Sequence, residues 1–445
     1  MNNMKILFIS LGCDKNLVDS EHMLGLLVEH GFEITDSEED AEVIVINTCC
    51  FIHDAKEESI QNILEMAKYR TAGSCKVLLV TGCMAERYRD EIIEEIPEVD
   101  AVLGTNSYDK ILDAIQDVLG GDRFQEYADL KGLPKIDAQR VVTTGGHYEY
   151  LKIAEGCDKH CTYCIIPKVR GNYRSVPKES LLKEATELAD KGVRELILVA
   201  QETTLYGMDL YGKKELPRLL HELAQIPGIY WIRILYCYPE EITDELIDAI
   251  AAEPKVCNYL DIPIQHASDN VLKRMGRRTD QAELRAIIGK LREKIPDICL
   301  RTTLISGFPG ETQEDFEELY RFVNEMEFDR LGVFPYSQEE DTPAATMEDQ
   351  VPQEVKEFRR DELMELQQAI AFDKAEDMVG RILTVMIEGK VADEETYVAR
   401  TYRDAPNVDG YLFVNTSANL MTGDFVKVLV TDSNEYDLIG EIYHE

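Results

Sequence analysis

The stretch YLKIAEGCDKHCTYC, residues 150–164, joins a strand-like apolar run to three closely spaced cysteines. Cys157, Cys161 and Cys164 lie within eight residues and follow the end of that run. In parallel α/β folds, the loops that follow the strands carry the chemistry. Thiolates at this spacing can each bind one iron of an iron–sulfur cube, which leaves the fourth iron open for another ligand. The stretch therefore predicts a strand that presents a cluster-binding loop.

Two other uses of these cysteines remain open. Buried structural cysteines would rarely stand in such a run beside the charged residues Asp158, Lys159 and His160. A structural zinc site requires four ligands, and the local sequence offers no candidate beyond His160. The pattern favours a cluster over both alternatives.

Strand-like and helix-like segments alternate around this stretch, from about residue 149 to about residue 335. The strand candidates are YEYLKIA, ELILVA, WIRILY, NYLDIP, LRTTLI and RLGVF, and helix-like stretches lie at 178–190, 242–252, 281–294 and 312–326. A complete eight-stranded barrel would need roughly 250 residues. Six repeats of the strand–helix unit therefore predict an open, partial (β/α)6 barrel.

The N-terminal part, from residue 5 to about residue 119, has the same alternation. Its apolar runs KILFIS, AEVIVIN, KVLLVTG and DAVLG predict an open parallel α/β sheet. Cys13, Cys49 and Cys83 each follow one of these runs, at the edge where open sheets bind ligands. Random burial would scatter them, so their common placement favours one shared site. Cys50 adjoins Cys49 and could exchange roles with it.

The C-terminal part changes to a β pattern after a helical stretch at 352–376. Five short strands are predicted in about 70 residues, in RILTVMIEGKV, TYVART, GYLFVNT, DFVKVLVTD and DLIGEIYH. Such spacing is typical of a small closed barrel of the oligonucleotide-binding type. Between the first two parts, residues 121–142 lose periodicity and are interpreted as a linker. Cys75, Cys237, Cys257 and Cys299 are expected to be core or incidental residues.

The central cysteine motif, with Tyr163 as its aromatic residue, resembles the signature of radical S-adenosylmethionine enzymes. The resemblance implies that the open iron holds the amino and carboxylate groups of S-adenosylmethionine, with Tyr163 near the adenine. Reductive cleavage of that cofactor would then give a radical that takes hydrogen from an unreactive carbon. The segment GFPGET, residues 307–312, resembles the glycine-bearing turn near the cofactor in this family. Gly307 and Gly310 are therefore expected to permit close approach of the cofactor.

The segments LGCDKNLVDSE, NTCCF and TGC resemble the three cysteine motifs of the methylthiotransferase N-terminal domain. The last five strands resemble a TRAM domain, so the likeness covers essentially the whole chain. It implies a methylthiotransferase domain at 4–120, a linker at 121–142, a radical core at 143–374 and a TRAM domain at 375–445. It also implies that two 4Fe–4S clusters are bound, one by Cys13, Cys49 and Cys83 and the other by Cys157, Cys161 and Cys164. The reaction would attach a methylthio group to an unactivated carbon, with an electron donor and a sulfur donor as partners.

Charge bears on the substrate, because this family modifies either tRNA adenosines or the β-carbon of an aspartate in the twelfth small-subunit ribosomal protein. Residues 377–445 carry 5 Lys and Arg against 13 Asp and Glu, a net charge of -8, and the whole chain carries -38. An RNA-binding barrel should be basic, whereas an acidic one suits a basic ribosomal protein. A merely solubilising acidic face is the alternative. The sequence predicts the ribosomal protein rather than tRNA.

A locally basic stretch surrounds the central motif. Lys159, Lys168, Arg170 and Arg174 could balance a carboxylate of the cofactor or of the target aspartate, or could form a solvated loop face. In the segment RSVP, Val176 occupies a position where many members of the family have arginine.

The N-terminal segment MNNMKILFISLGC has no long apolar core, and no run of about 18 apolar residues follows. A cytoplasmic protein that does not bind membranes is expected, with its eleven cysteines reduced. Two competing hypotheses are a tRNA methylthiotransferase and a non-catalytic iron–sulfur scaffold.

Overall fold

The computed structural model describes residues 3–135 and 138–444. The described chain divides into two compact units. The first, here the N-terminal unit, contains the residues up to 143 together with Ala154–Val176 and Ser337–Ala345. The second, here the barrel unit, contains Thr144–Ile153, Pro177–Tyr336 and the residues from 346 onward. The three predicted domain boundaries remain a prediction, because the two units do not coincide with the predicted domains.

The N-terminal unit is built on a parallel sheet with six strands among its described residues. They are β1 (Lys5–Ser10), β2 (Glu33–Ile34), β3 (Val43–Thr48), β4 (Val77–Gly82), β5 (Ala101–Leu103) and β6 (Phe124–Glu126), in the order β2-β1-β3-β4-β5-β6. The predicted open parallel sheet is confirmed, and the sequence analysis missed the two short edge strands. One of them, β6, lies inside the segment interpreted as a linker.

Helices cover both faces of this sheet. They are α1 (Asp14–Glu29), α2 (His53–Ala67), α3 (Tyr69–Ala72), α4 (Cys83–Tyr88), α5 (Asp90–Glu95) and α6 (Ile111–Gly120). Strands β3 and β4 are buried along their whole length. Val43 and Val45 face one apolar cluster, and Ile44 and Ile46 face the other. This two-sided burial explains why both strands read as continuous apolar runs.

The barrel unit contains a second parallel sheet, with six strands in the part of the chain described. They are β7 (Tyr148–Lys152), β10 (Glu195–Val199), β11 (Trp231–Ile234), β12 (Val256–Asp261), β13 (Cys299–Ser306) and β14 (Arg330–Pro335), in the order β14-β13-β12-β11-β10-β7. Each strand pairs with its neighbours in sequence and the two ends do not pair with each other, which confirms the predicted open barrel. Strands β8 (Ala154–Glu155) and β9 (Arg174–Ser175) form a separate short pair in the N-terminal unit.

The connecting helices include one at each predicted stretch, 178–190, 242–252, 281–294, 312–326 and 352–376, together with others that the sequence analysis missed. They are α7 (Ile166–Val169, N-terminal unit), α8 (Lys178–Asp190), α9 (Met208–Tyr211), α10 (Leu216–Ala224), α11 (Asp244–Ala252), α12 (Asp269–Arg274), α13 (Gln281–Lys294), α14 (Gln313–Met326) and α15 (Gln353–Glu376). Capping boxes at Asp280 and Thr312 fix the starts of α13 and α14, because each cap satisfies a free backbone N–H. No helix of the described chain is long and apolar enough to cross a membrane.

The C-terminal strands form the predicted closed barrel. In residues up to 444 its strands are β15 (Ile382–Lys390), β16 (Thr396–Thr401), β17 (Leu412–Asn415), β18 (Phe425–Asn434) and β19 (Asp437–Ile442), in the order β15-β16-β17-β19-β18. Val385, Ile387, Ala399, Leu412 and Val428 fill its interior. These apolar residues alternate with polar ones along the strands, and this alternation is the pattern that predicts strands in the sequence.

A buried ion network joins this small barrel to the (β/α)6 sheet within the barrel unit. Glu195 on β10 lies 2.7 Å from Arg233 on β11 and 2.8 Å from Arg400 on β16, and all three side chains have no solvent exposure. Burial alone would raise the pKa of Glu195, but Arg400 and Arg233 together lower it below its usual value. The carboxylate therefore stays charged between the two guanidinium groups.

Replacing Glu195 by Gln should lower the free energy of unfolding by about 3–5 kcal/mol, because two buried arginines would lose their shared carboxylate. Chemical denaturation followed by circular dichroism measures the loss. The exposed Glu293 on α13 provides the control, and Glu293→Gln should change stability by less than about 0.5 kcal/mol. Equal, small effects of the two variants would contradict a structural role for the network.

Candidate functional site

Cys13, Cys49 and Cys83 lie at the carboxyl ends of three neighbouring strands. The register pairs Ser10 of β1 with Asn47 of β3, and Asn47 with Thr81 of β4, so the three strands end side by side. Cys13 precedes α1, Cys49 follows β3, and Cys83 begins α4. Burial raises the pKa of the Cys49 thiol, and the nearby thiols of Cys83 and Cys13 raise that pKa further. The structure thus brings these three cysteines together, as the sequence predicts.

Two glycines make room for this convergence. Gly12 has a φ of 88°, and a Cβ added there would lie 2.7 Å from Cβ and 2.9 Å from Sγ of Cys49. Gly82 has a φ of 94°, and a Cβ there would overlap the backbone of Thr48. Both residues directly precede a cysteine of the trio. Close approach and left-handed backbone geometry therefore explain the glycine of the LGC and TGC motifs.

A buried polar framework holds the segments that carry Cys13 and Cys49, and the sequence analysis missed it. The side-chain amide of Asn16 donates to the carbonyls of Leu11 (3.0 Å) and Thr48 (2.9 Å). The amide of Asn47 donates to Asn16 O (2.8 Å) and Ser20 Oγ (2.9 Å). Asn16 and Ser20 are four residues apart on the buried face of α1. The sequence did contain a signal for this framework, because two polar residues stand at helical spacing on the buried face of α1.

Cys49 has a separate partner on α2. The hydroxyl of Ser59 accepts from Cys49 N at 3.0 Å and donates to Cys49 O at 2.8 Å. Ser59 has no solvent exposure. This pair of hydrogen bonds fixes the backbone that presents the Cys49 thiol.

The chemistry of this trio suits a soft, cationic group. Burial raises the pKa of the Cys49 thiol to about 12, and burial also raises the pKa of Cys83. As free thiols they would stay protonated at neutral pH, so binding as thiolates requires a nearby metal charge. Among residues 3–135 and 138–444, no three His, Cys, Asp or Glu side chains stand close enough to hold one metal ion. In a cube each thiolate binds its own iron, so an all-sulfur trio fits a cluster.

The central trio lies on a loop that a short antiparallel pair closes. Glu155 of β8 pairs with Arg174 of β9 at the base of the loop, and Cys157 N donates to Gly171 O at 3.1 Å. Cys164 N donates to Cys161 O at 3.0 Å, which forms a tight turn. Burial raises the pKa of Cys164, and the neighbouring Cys161 and Cys157 raise it further. This second trio also converges, within the same N-terminal unit as the first.

The other predicted cofactor residues lie in different surroundings. Tyr163 is half-buried on the central loop. Gly307 and Gly310 follow β13 in the barrel unit, where a Cβ would overlap Lys356 at the first position and Arg274 at the second. Close packing is a sufficient reason for both glycines, so their role in cofactor binding stays a prediction.

Glu311 organises the GFPGET turn, and the sequence analysis missed this residue as well. Its carboxylate accepts from the backbone amides of Gly307 (2.8 Å) and Phe308 (3.1 Å). Arg359 Nη1 on α15 donates to the other carboxylate oxygen at 2.8 Å. Glu311 is fully shielded from solvent. The conformation of the turn therefore depends on a buried carboxylate four residues after its first glycine.

The basic stretch around the central motif is not a solvated face. Lys168 is exposed, but Lys159, Arg170 and Arg174 are buried. Arg170 contacts the protein's own carboxylates, Asp19 at 2.8 Å and Glu155 at 3.2 Å. Arg174 Nη1 donates to the carbonyls of Arg170 (3.0 Å) and Asn172 (2.7 Å). The solvated-face alternative is wrong for all but Lys168, and internal carboxylates balance Arg170.

An acidic segment, Ser337–Ala345, packs against both cysteine regions inside the N-terminal unit. Arg87 Nη2 donates to Glu340 O at 2.7 Å, and Arg87 Nη1 lies 3.4 Å from Cys50 O. Ala344 N donates to Thr162 O at 2.9 Å, between two cysteines of the central loop. The segment thus connects the Cys49 loop to the central loop.

Cys50 differs from its neighbour Cys49. Its side chain has no solvent exposure and belongs to the apolar cluster on one face of the sheet. Burial raises the pKa of its thiol above the ordinary value. Cys75, Cys237, Cys257 and Cys299 are buried too, and none of the eleven cysteines, all of which lie in the described residues, forms a disulfide. Packing accounts for Cys50, and an exchange of roles with Cys49 stays a hypothesis.

Three family models match successive parts of the chain. Residues 5–104 match the Uncharacterized protein family UPF0004, residues 151–323 match the Radical SAM superfamily, and residues 379–442 match the TRAM domain. These ranges contain, in turn, the first cysteine trio, the central trio and the small closed barrel. The order of the three matches agrees with the order of parts expected from the sequence.

A comparison with solved structures supports the fold. The chain is similar to the radical S-adenosylmethionine methyltransferase TsrM from Kitasatospora setae, with a TM-score of 0.56, 13% identity and 77% of each chain covered. The cobalamin-dependent radical enzyme OxsB gives a TM-score of 0.51 at 12% identity, over 83% of this chain and 56% of that one. At such identities the likeness concerns the fold alone.

Curated relatives are much closer in sequence. The ribosomal protein uS12 methylthiotransferase RimO of Lachnoclostridium phytofermentans is 65% identical over 98% of this chain and 99% of the relative. The protein of the same name from Clostridium botulinum strain Langeland is 50% identical over 100% of this chain and 99% of the relative. On this near-complete similarity, the chain belongs to the RimO family of ribosomal protein uS12 methylthiotransferases within the radical SAM superfamily.

Proposed function

We propose that this chain is a radical S-adenosylmethionine methylthiotransferase that adds a methylthio group to the β-carbon of an aspartate in ribosomal protein uS12. The observation that carries the proposal is the presence of two convergent cysteine trios in one compact unit. Relatives that carry the name of this activity are 65% and 50% identical to the chain. A reaction that joins carbon to sulfur needs two reactive centres, and the chain supplies a thiol trio for each.

Each trio would hold one 4Fe–4S cluster. Cys157, Cys161 and Cys164 would bind the cluster that takes S-adenosylmethionine, with Tyr163 beside it. A reduced cluster with this cofactor supplies the one-electron chemistry that removes hydrogen from an unreactive carbon. Cys13, Cys49 and Cys83 would bind the second cluster, whose open iron suits a sulfur species.

The protein's own residues would orient these groups and exclude water. Ser59 fixes the backbone of Cys49, and Asn16 ties together the loops around it. Cys49 and Cys83 are less than a tenth exposed, as are Cys157 and Cys161. Because water would intercept a reactive carbon or sulfur species, such burial favours transfer to the intended partner. An electron donor and a sulfur donor remain expected partners.

The surface charge of the small barrel supports a basic protein substrate. Two of its five basic residues, Arg400 and Arg403, are buried in ion pairs with Glu195 and Asp329. The exposed basic residues of the described barrel are Arg381, Lys390 and Lys427, and the exposed acidic ones are Asp377, Asp393, Glu394, Glu395, Asp432, Glu435 and Glu441. Burial thus leaves an acidic surface, which attracts basic protein and repels RNA. For this reason tRNA is not the expected substrate.

A paired assay tests the reaction and its substrate. The reconstituted, reduced protein should add one methylthio group to uS12 and release 5'-deoxyadenosine, and it should leave tRNA unchanged. Anaerobic incubation followed by mass spectrometry of both substrates measures the outcome. Cys161→Ala should abolish both products, because the central cluster would lose a ligand. Modification of tRNA instead of uS12 would refute the substrate, and release of no 5'-deoxyadenosine would favour a non-catalytic scaffold.

Adjacent cysteines provide a matched test of the first trio. Cys49→Ala should lower the iron content from about eight to about four atoms per chain, because one of two clusters loses a ligand. Cys50→Ala should keep about eight, since its thiol packs in the apolar cluster. Iron analysis and absorbance of the anaerobically reconstituted proteins measure both values. Equal loss in both variants would contradict the assignment of Cys49.

A charge variant tests the role of the small barrel. Asp393→Asn, Glu394→Gln and Glu395→Gln together should lower kcat/KM for uS12 roughly tenfold at low salt, because electrostatic attraction speeds encounter. The difference should shrink as ionic strength rises. As a control with the same charge change, Glu91→Gln, Glu94→Gln and Glu95→Gln on α5 should change kcat/KM much less. Equal effects of the two triple variants would show that only net charge matters.

A further inference from the structure

Arg170 is a fully buried cation that contacts four acceptors within the N-terminal unit. Its Nε lies 3.3 Å from Cys83 Sγ and donates toward it. Its Nη1 donates to Asp19 at 2.8 Å and to Glu155 at 3.2 Å, and its Nη2 donates to the side-chain oxygen of Asn16. The side chain is 2% exposed. Almost every part of this guanidinium therefore has a fixed partner.

The contact with sulfur is not needed to neutralise the buried charge. Asp19 alone offsets the charge of Arg170, and Glu155, which also acts on Arg174, is a second carboxylate in contact with it. The guanidinium is planar, and its five N–H groups point in fixed directions. Arg170 Nε–H is thus a permanent donor that points at the sulfur of Cys83.

We propose that Arg170 is a positioning residue that raises the reduction potential of the cluster held by Cys13, Cys49 and Cys83. This inference rests on the proposed function, which assigns a cluster to that trio. Reduction adds negative charge to a cluster and its thiolates. An N–H donor and a positive charge at a ligand sulfur stabilise that added charge, so the reduced form becomes easier to reach.

Arg170 belongs to the same peptide as the central cysteine loop, so that peptide would also affect the reduction potential of the first cluster. It stands six residues after Cys164 and directly follows α7. Its partner Glu155 belongs to β8, at the base of the same loop. Asn16 and Asp19 belong to α1, beside Cys13. One peptide therefore supplies three thiols to the central site and a hydrogen-bond donor to the other site.

A redox titration of the full chain with both clusters tests the inference. Arg170→Lys keeps the charge that Asp19 and Glu155 need but removes the Nε–H that meets Cys83. One of the two midpoint potentials, followed by electron paramagnetic resonance, should fall, and the other should stay unchanged as an internal control. Asp19→Asn removes a nearby negative charge but leaves the sulfur contact, so the same potential should rise or hold.

Each outcome separates the inference from the proposed function. Two clusters whose potentials do not respond to Arg170→Lys, or that both shift equally, would overturn the role of Arg170. A parent protein that binds a single cluster would instead overturn the proposed function.

A second measurement does not depend on the variant's stability. In the parent protein labelled with ¹⁵N-arginine, pulsed resonance of the reduced first cluster should show coupling to an arginine nitrogen. Should Arg170→Lys fail to hold its clusters, the presence of that coupling supports the contact and its absence overturns it.

Discussion

Parallel pairing of β1, β3 and β4 is the constraint on which the candidate site depends. In a parallel sheet the strands end at the same edge, and here Ser10, Asn47 and Thr81 stand in one row across the three strands. A cysteine placed two or three residues beyond each position must then enter a shared space. A shift of one residue in this register would also turn the apolar side chains of β3 and β4 away from their own clusters. Burial of both faces thus fixes the register that gathers the thiols.

Buried polar groups next to the thiols fix the backbone at this edge of the sheet. Asn16 satisfies the backbone carbonyls of Leu11 and Thr48 at the strand ends, Asn47 donates to Asn16 O on α1, and Ser59 donates to Cys49 O. Each buried polar group needs a partner, because an unpaired one costs about 1–3 kcal/mol. The motif LGCDKNLVDSE therefore contributes one thiol and, through Asn16 and Ser20, much of the framework around it. A thiol trio on loops without such bonds would hold a cluster less firmly.

Charge has different functions inside and outside the protein. Buried arginines such as Arg170, Arg233 and Arg400 are fixed by internal carboxylates and cannot meet a substrate. Burial of Arg400 and Arg403 leaves three exposed basic residues in the described part of the small barrel against seven exposed acidic ones, so its surface stays acidic. Charges in water attract at long range and set encounter rates, whereas buried pairs fix geometry. The same residue types therefore support structure in one place and recognition in the other.

The sequence by itself predicted the alternation of strands and helices, the closed terminal barrel and the candidate residues of both cysteine trios, because local apolar periodicity and spacing encode them. It also determined the family, through motifs that depend on residue type alone. Only the tertiary structure decided that the segment around 124 pairs as edge strand β6 and that Glu311 holds the GFPGET turn. It alone revealed that Arg170 is buried against Asp19, 151 residues away in sequence. Burial and long-range pairing depend on what other segments bring to a position, and no local pattern carries that information.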